Sequence, residues 1–118
     1  MPQYTKSNES YRVSYITGPS HVLLGLTLSQ AKPAAINIRN LGSAGKCHHG
    51  QLNLESIKES VIEGVTKANQ LCGTKYYVGQ IEYIENDTPN YALYTHCAYL
   101  IIKGLHEGIE FKSTAVRK

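Results

Sequence analysis

Apolar residues between Asn53 and Gly73 recur at steps of three and four, the spacing that places them on one face of a helix. Asn53 is suited to cap the first free amides, and Gly73 to end the helix in the left-handed conformation. Gly64 lies inside the segment and predicts that a sheet approaches the helix closely. The residues predicted to line the buried face are Leu54, Ile57, Val61, Val65, Ala68 and Leu71.

A second helix is predicted to run to about Gly108, with Thr88 as its cap and Pro89 as its first residue. Its apolar positions again follow spacings of three, four and seven, which is typical of an amphipathic helix. The predicted buried stripe consists of Tyr94, Cys97, Ala98, Ile101 and Leu105.

Between the two helices the period changes to two, which predicts a strand from Tyr76 to Glu85. Alternation also predicts an N-terminal hairpin, from Tyr11 to Leu28, that turns at Gly18. A third strand is predicted from Ala34 to Ile38. In the strand between the helices, one side is expected to carry Tyr77, Ile81 and Tyr83, and the other Tyr76, Val78 and Ile84.

This order of elements predicts an α+β fold, a two-layer sandwich in which both helices cover one face of a single sheet. The 118 residues are expected to form one domain. No apolar stretch approaches the roughly 20 residues that cross a bilayer, and the first residues lack the core of a signal peptide. Three widely spaced cysteines fit a reducing compartment. We therefore expect a cytoplasmic protein that does not enter membranes.

The net charge of +3 is concentrated in the first 50 residues, where five basic residues face a single acid, Glu9. An excess of positive charge favours binding to phosphate backbones. The chain lacks, however, the dense clusters of lysine and arginine that are typical of dedicated nucleic-acid-binding proteins. The candidate nucleic-acid contacts are Arg12, Lys32, Arg39 and Lys46. The alternative is an ordinary solvated surface.

The glycine-rich segment from Asn40 to Gly50 contains the adjacent residues Cys47, His48 and His49. A thiolate and imidazoles are the ligands that zinc and other transition metals prefer. His96 and His21 are candidate additional ligands. Because no established ligand spacing is present, the alternative is a loop of surface histidines. A nucleophilic role for Cys47 or Cys97 is a weaker hypothesis, since no partner acid is identifiable.

Four segments within residues 53 to 108 resemble domain IV of translation elongation factor G and its relatives, whose fold is shared with a small-subunit ribosomal protein. These segments are Leu54–Ile57, Val61–Val65, Tyr76–Ile81 and Ala98–Tyr99. The family opens its second helix with Asp-Ser-Ser-Glu, whereas this chain has Leu93-Tyr94-Thr95-His96. The resemblance implies a free-standing domain of that fold with a surface that contacts RNA or the ribosome, and no GTPase activity. A ferredoxin-like sandwich is the alternative fold.

Three functional hypotheses follow. The first is an RNA- or ribosome-binding module in which exposed tyrosines stack on bases. The second is a small metal-binding protein or enzyme built on the Cys47–His49 loop. The third is a homo-oligomeric interaction protein that pairs through a sheet edge. Binding is favoured over catalysis, because no strong catalytic motif is present.

Overall fold

A computed structural model of the protein describes residues 3–7, 10–17, 20–42, 52–84 and 90–113. It shows an α+β fold in which two helices pack against a mixed sheet, as predicted. The strands are β1 (Gln3–Ser7), β2 (Ser10–Thr17), β3 (Ser20–Ser29), β4 (Asn37–Asn40), β5 (Tyr77–Tyr83) and β6 (Lys112–Ser113). The helices are α1 (Leu54–Cys72) and α2 (Tyr91–Glu107).

The six strands are arranged in the order β4-β5-β3-β2-β1-β6. The predicted hairpin is confirmed as the antiparallel pair β2–β3, in which Val13 lies opposite Leu24. Strand β5 pairs antiparallel with β3 and parallel with β4, whereas β6 runs parallel to β1. Because α1 and β5 follow β4 along the chain, the first helix makes the crossover between two parallel neighbours.

The hydrophobic core lies between the helices and the sheet face that they cover. Strand residues such as Val13, Leu24 and Ile81 are fully buried, as are Val61 of α1 and Ile101 of α2. These alternate strand positions and the two helical stripes form one contiguous cluster. The periodicity in the sequence therefore identified the two layers correctly.

Both predicted ends of α1 are confirmed. The Asn53 side chain accepts a hydrogen bond from the amide of Ser56 at 3.0 Å, and Gly73 is left-handed with φ of 70°. The buried face of α1, however, is shorter than predicted at both ends. Leu54 is 42% exposed and Leu71 is 73% exposed. Only the central turns of this 19-residue helix are covered by the sheet and α2.

Gly64 marks a close crossing of the two helices and not the predicted approach to the sheet. A Cβ atom at this position would collide with the backbone carbonyl oxygen of Thr95 and would lie 3.0 Å from the Cβ of Ala98. Because glycine presents no side chain here, the backbones of α1 and α2 come into direct contact.

The predicted alternation along β5 is confirmed for Ile81 and Tyr83, which are both buried, but it is wrong between Val78 and Ile81 because the strand contains a bulge. Thr27 pairs with Gln80 and Leu28 with Val78, which leaves Gly79 without a partner in β3. The extra residue resets the pleat. Val78 and Ile81, predicted on opposite sides, are consequently both buried, at 6% and 0% exposure.

Other boundaries also differ from the predictions. Strand β4 begins at Asn37, three residues later than expected, and α2 begins at Tyr91 with Asn90 at the cap position. Thr88 and Pro89 lie outside the described residues. Strands β1 and β6 were not predicted. Four strands precede α1, which differs from the βαββαβ order of the ferredoxin-like alternative.

Replacement of Gly64 by alanine is expected to destabilise the fold by about 1–3 kcal/mol, despite alanine's higher helix propensity, because the new methyl group forces the helices apart. Urea unfolding of the two proteins measures the difference. An equal or greater stability of Gly64→Ala would contradict the close crossing.

The matched control is Gly79→Ala in the bulge. Its Cβ would have the carbonyl oxygen of Thr27 as its nearest neighbour, at 3.7 Å, an ordinary van der Waals contact. We expect its free energy of unfolding to stay within about 0.5 kcal/mol of the parent protein.

Candidate nucleic-acid interface

The face of the sheet opposite the helices, here called the open face, carries one row of residues that crosses all six strands. Strand register places Arg39 opposite Glu82, Glu82 opposite Gly25, and Gly25 opposite Arg12. Arg12 lies opposite Thr5, which in turn lies opposite Lys112. We call this set the cross-strand row. Its members alternate along their strands with core residues such as Val13, Leu24 and Ile81, so the pleat directs them away from the helices.

Glu82 is the centre of the cross-strand row. Its Oε1 accepts hydrogen bonds from Ser10 Oγ at 2.6 Å and from Arg12 Nε at 2.9 Å. Its Oε2 lies 3.4 Å from Nη1 of Arg39. The carboxylate side chain is only 2% exposed, whereas the side chains of Arg12 and Arg39 are 21% and 60% exposed. The two arginines and the serine therefore shield a buried charge on a face that neither α1 nor α2 covers.

Gly25 is what allows Glu82 to reach across β3 to Arg12. A Cβ at position 25 would lie 2.5 Å from Oε1 of Glu82 and 3.1 Å from Cγ of Arg12. Any side chain there would occupy the path of the ion pair. The glycine is thus a packing requirement of the interaction between β2 and β5.

Burial raises the pKa of Glu82, but other contributions outweigh it. The hydrogen bonds from Arg12 and Ser10 favour the ionised carboxylate, as do the positive charges of Arg12 and Arg39. The net pKa consequently lies below its usual value of 4.5. Glu82 therefore remains ionised at neutral pH.

The open face is cationic. Among the strand residues that the structure describes, Glu82 is the only acid, because the other described acids belong to the helices or follow α2. The cross-strand row contains Arg39, Arg12 and the exposed Lys112 against this one carboxylate. Beside the row, the Asn37 side-chain amide donates to Oε1 of Gln80 at 3.0 Å. The face thus combines positive charge with amide and hydroxyl groups.

Exposed tyrosines are predicted to stack on bases, and only one of the tyrosines is exposed enough to do so. Of the nine tyrosines, Tyr83 and Tyr94 are buried in the core. Six others pack against the core: Tyr4, Tyr11, Tyr15, Tyr76, Tyr91 and Tyr99. Tyr77 remains, 39% exposed, at the start of β5. Because Tyr77 precedes the buried Val78, the pleat directs it toward the open face.

The four residues predicted to contact nucleic acid do not all lie together in the structure. Arg12 and Arg39 meet at Glu82. Lys32 is exposed in the connection between β3 and β4, away from the cross-strand row. Lys46 lies outside the described residues. Sequence reasoning missed Lys112 and Glu82, for which the available signal was a charged residue placed within an alternating strand.

The predicted metal ligands are not brought together where they are described. Cys47, His48 and His49 lie outside the described residues. His21 precedes the buried Val22 and so points to the open face, whereas His96 lies on α2, its ring centroid 6.3 Å from that of Tyr99. Within the described ranges, no three His, Cys, Asp or Glu side chains are grouped to hold a metal ion.

Cys97, the one described candidate nucleophile, is completely buried in α2 and so is closed to a substrate from solvent. Neither α1 nor α2 is long and apolar enough to cross a membrane, considering only the residues described.

No protein-family model matches this chain, and no curated protein matches it in sequence. The resemblance to domain IV of elongation factor G therefore stays a prediction.

Replacement of Glu82 by glutamine is expected to lower the free energy of unfolding by about 1.5–3 kcal/mol at neutral pH, because charge-assisted hydrogen bonds are lost. The folded-state pKa of Glu82 lies below 4.5, so its stabilisation is complete above about pH 4.5 and is lost as the pH falls through the folded pKa. Urea unfolding from about pH 7 to pH 3 should show the two proteins converging in acid. A difference that does not depend on pH would contradict this account.

Glu63→Gln is the matched control. Glu63 pairs with Lys67 at 3.2 Å on α1, but both side chains are more than half exposed, at 58% and 61%. Solvent screens such a pair, so we expect a change of less than about 0.5 kcal/mol.

Proposed function

We propose that this protein is an RNA-binding module whose open sheet face contacts the backbone of single-stranded RNA. The observation that carries the proposal is the cross-strand row, in which Arg39, Arg12 and Lys112 lie on one face with a single buried carboxylate. Neighbouring strands are about 4.8 Å apart. The cations therefore form a line that crosses the strands and spans the sheet, which suits an extended polyanion.

Glu82 organises this line of charge. It holds the Nε of the half-buried Arg12 at 2.9 Å, so Arg12 mainly positions the carboxylate. Arg39 has only a long contact of 3.4 Å with Glu82 and is 60% exposed. The remaining N–H groups of Arg39 are accessible to a phosphate, for which the planar guanidinium is suited. We therefore assign backbone contacts to Arg39 and Lys112.

Tyr77 and the amide pair Asn37–Gln80 supply the groups that distinguish a nucleic acid from a simple polyanion. An exposed aromatic ring stacks on any base, and side-chain amides bond to base edges or sugar hydroxyls. Stacking requires unpaired bases, which favours single-stranded RNA over a duplex. The proposal agrees with what the resemblance to domain IV of elongation factor G implies, contact with RNA or the ribosome without GTP hydrolysis.

Arg39→Gln and Lys112→Gln are expected to weaken binding of a fluorescein-labelled single-stranded RNA, measured by anisotropy at several salt concentrations. Each variant should make the plot of log affinity against log salt shallower by about 0.7, since each removes one phosphate contact. Arg39→Lys, which keeps the charge, should retain the parent slope.

Lys103→Gln is the control for nonspecific attraction, because Lys103 lies in the helical layer beside Glu107 and the ring of Tyr99. It should bind the same RNA as the parent does. The proposal fails if the parent protein does not bind RNA at low salt, or if Lys103→Gln weakens binding as much as Arg39→Gln.

The variant Tyr77→Leu separates the contribution of base stacking to RNA affinity from the contribution of charge. Loss of one base–aromatic contact is expected to weaken RNA binding roughly five-fold or more, while the salt slope stays unchanged, because no charge is removed. The same anisotropy titrations provide both quantities. Unchanged affinity would exclude Tyr77 from the interface.

A further inference from the structure

A cleft of about 290 Å³ lies between the C-terminal half of α1, the connection from β3 to β4 and the start of β5. It is separate from the cross-strand row, and no residue of that row lines it. The lining residues are Lys32, Pro33, Ile36, Ile62, Val65, Thr66, Asn69, Tyr76, Tyr77 and Val78.

The wall of the cleft is mainly apolar. Val65 and Val78 form its floor and are 5% and 6% exposed, whereas Ile62 on α1 is 43% exposed. Ile36 closes the side formed by the β3–β4 connection. An isoleucine left exposed beside a concave apolar surface gains contacts when a nonpolar group enters.

The shape of the cleft is held by Asn69. Its Nδ2 donates to the carbonyl oxygen of Tyr76 at 3.0 Å, and its Oδ1 accepts from Thr74 Oγ1 at 2.8 Å and from the Tyr76 amide at 3.2 Å. These bonds tie the end of α1 to the start of β5. The cleft is therefore built in advance of any ligand, which lowers the cost of binding.

Among the residues that the structure describes, Lys32 is the only charged one in the lining, and none of the described acids lines the cleft. Two lysines of the helices have acidic partners, since Lys67 lies 3.2 Å from Glu63 and Lys103 lies 4.0 Å from Glu107. Lys32 forms no ion pair with any residue in the described part of the chain. An ammonium group at the mouth of an apolar cleft is complementary to an anion that carries a nonpolar body.

We propose that this cleft binds a small monocarboxylate with an apolar chain or ring, the carboxylate lying on Lys32 and the apolar part on Val65 and Val78. The volume of 290 Å³ suits a ligand on the order of ten non-hydrogen atoms, if each occupies about the 30 Å³ of a water molecule. This inference uses none of the charges of the RNA proposal, although Tyr77 lines the cleft as well as belonging to the proposed RNA interface.

Methyl NMR titration with phenylbutanoate and with its neutral analogue phenylbutanol tests the site. The methyl signals of Val65 and Val78 should shift on addition of phenylbutanoate, with a Kd on the order of 0.1–1 mM. The alcohol should bind roughly five-fold more weakly, since it lacks the charge pair. No shift of these methyl groups, or equal affinity for both compounds, would overturn the proposal.

Three variants locate the interaction. Lys32→Met keeps an apolar stem and should abolish the preference for the carboxylate. Thr66→Phe changes an exposed helical position of the lining and should block both compounds. Lys112→Met, which removes a charge from the opposite edge of the sheet, should bind phenylbutanoate normally while its RNA affinity falls. A preference that survives in Lys32→Met would contradict the assignment.

A second copy of this chain could occupy the cleft in place of a small carboxylate. A dilution series of the protein without ligand distinguishes these two occupants. If the Val65 and Val78 signals move with protein concentration, the cleft is covered by self-association and the carboxylate proposal is wrong. Constant signals across the series support a small-molecule site. Backbone amide spectra of every variant confirm that each remains folded.

Discussion

The ion pair between Glu82 and Arg12 is the constraint on which the sheet depends. A buried carboxylate is costly unless its charge is compensated, and here Ser10 and Arg12 reach it from β2 across the full width of β3. That path exists only because Gly25 leaves it open. A register shift of one residue would turn Glu82 into the hydrophobic core. The pair therefore specifies how β2, β3 and β5 align.

The two faces of the sheet are consequently specialised. Aromatic and branched side chains cover the face under the helices, where the direct backbone contact at Gly64 draws α1 and α2 together. The ion pairs of Glu82 and the Asn37–Gln80 amide pair lie on the open face, whose cations lie in line because strand register aligns them. The apolar cleft beside α1 has its own cation, Lys32, so the two proposed sites do not compete for charge.

Local signals in the sequence predict the structure correctly where one residue and its near neighbours determine it. Asn53 caps α1 and Gly73 ends it, because each acts on backbone groups within a few positions. Predictions failed where a distant element decides the outcome. Leu71 fits the apolar period but is 73% exposed, because no element in the described part of the chain covers its side of the last turn of α1. The bulge at Gly79 depends on pairing with β3, which periodicity within β5 does not reveal.

The sequence by itself determined the two helices, the hairpin, the α+β class and the concentration of positive charge in its first half, because periodicity and composition are local properties. Tertiary structure alone decided which charges meet. Arg12 and Glu82 are separated by 70 positions, yet Nε of Arg12 lies 2.9 Å from Oε1 of Glu82. Such contacts are set by the order and register of strands, which are fixed by burying both helical faces on one sheet. The open face and the cleft arise from that assembly.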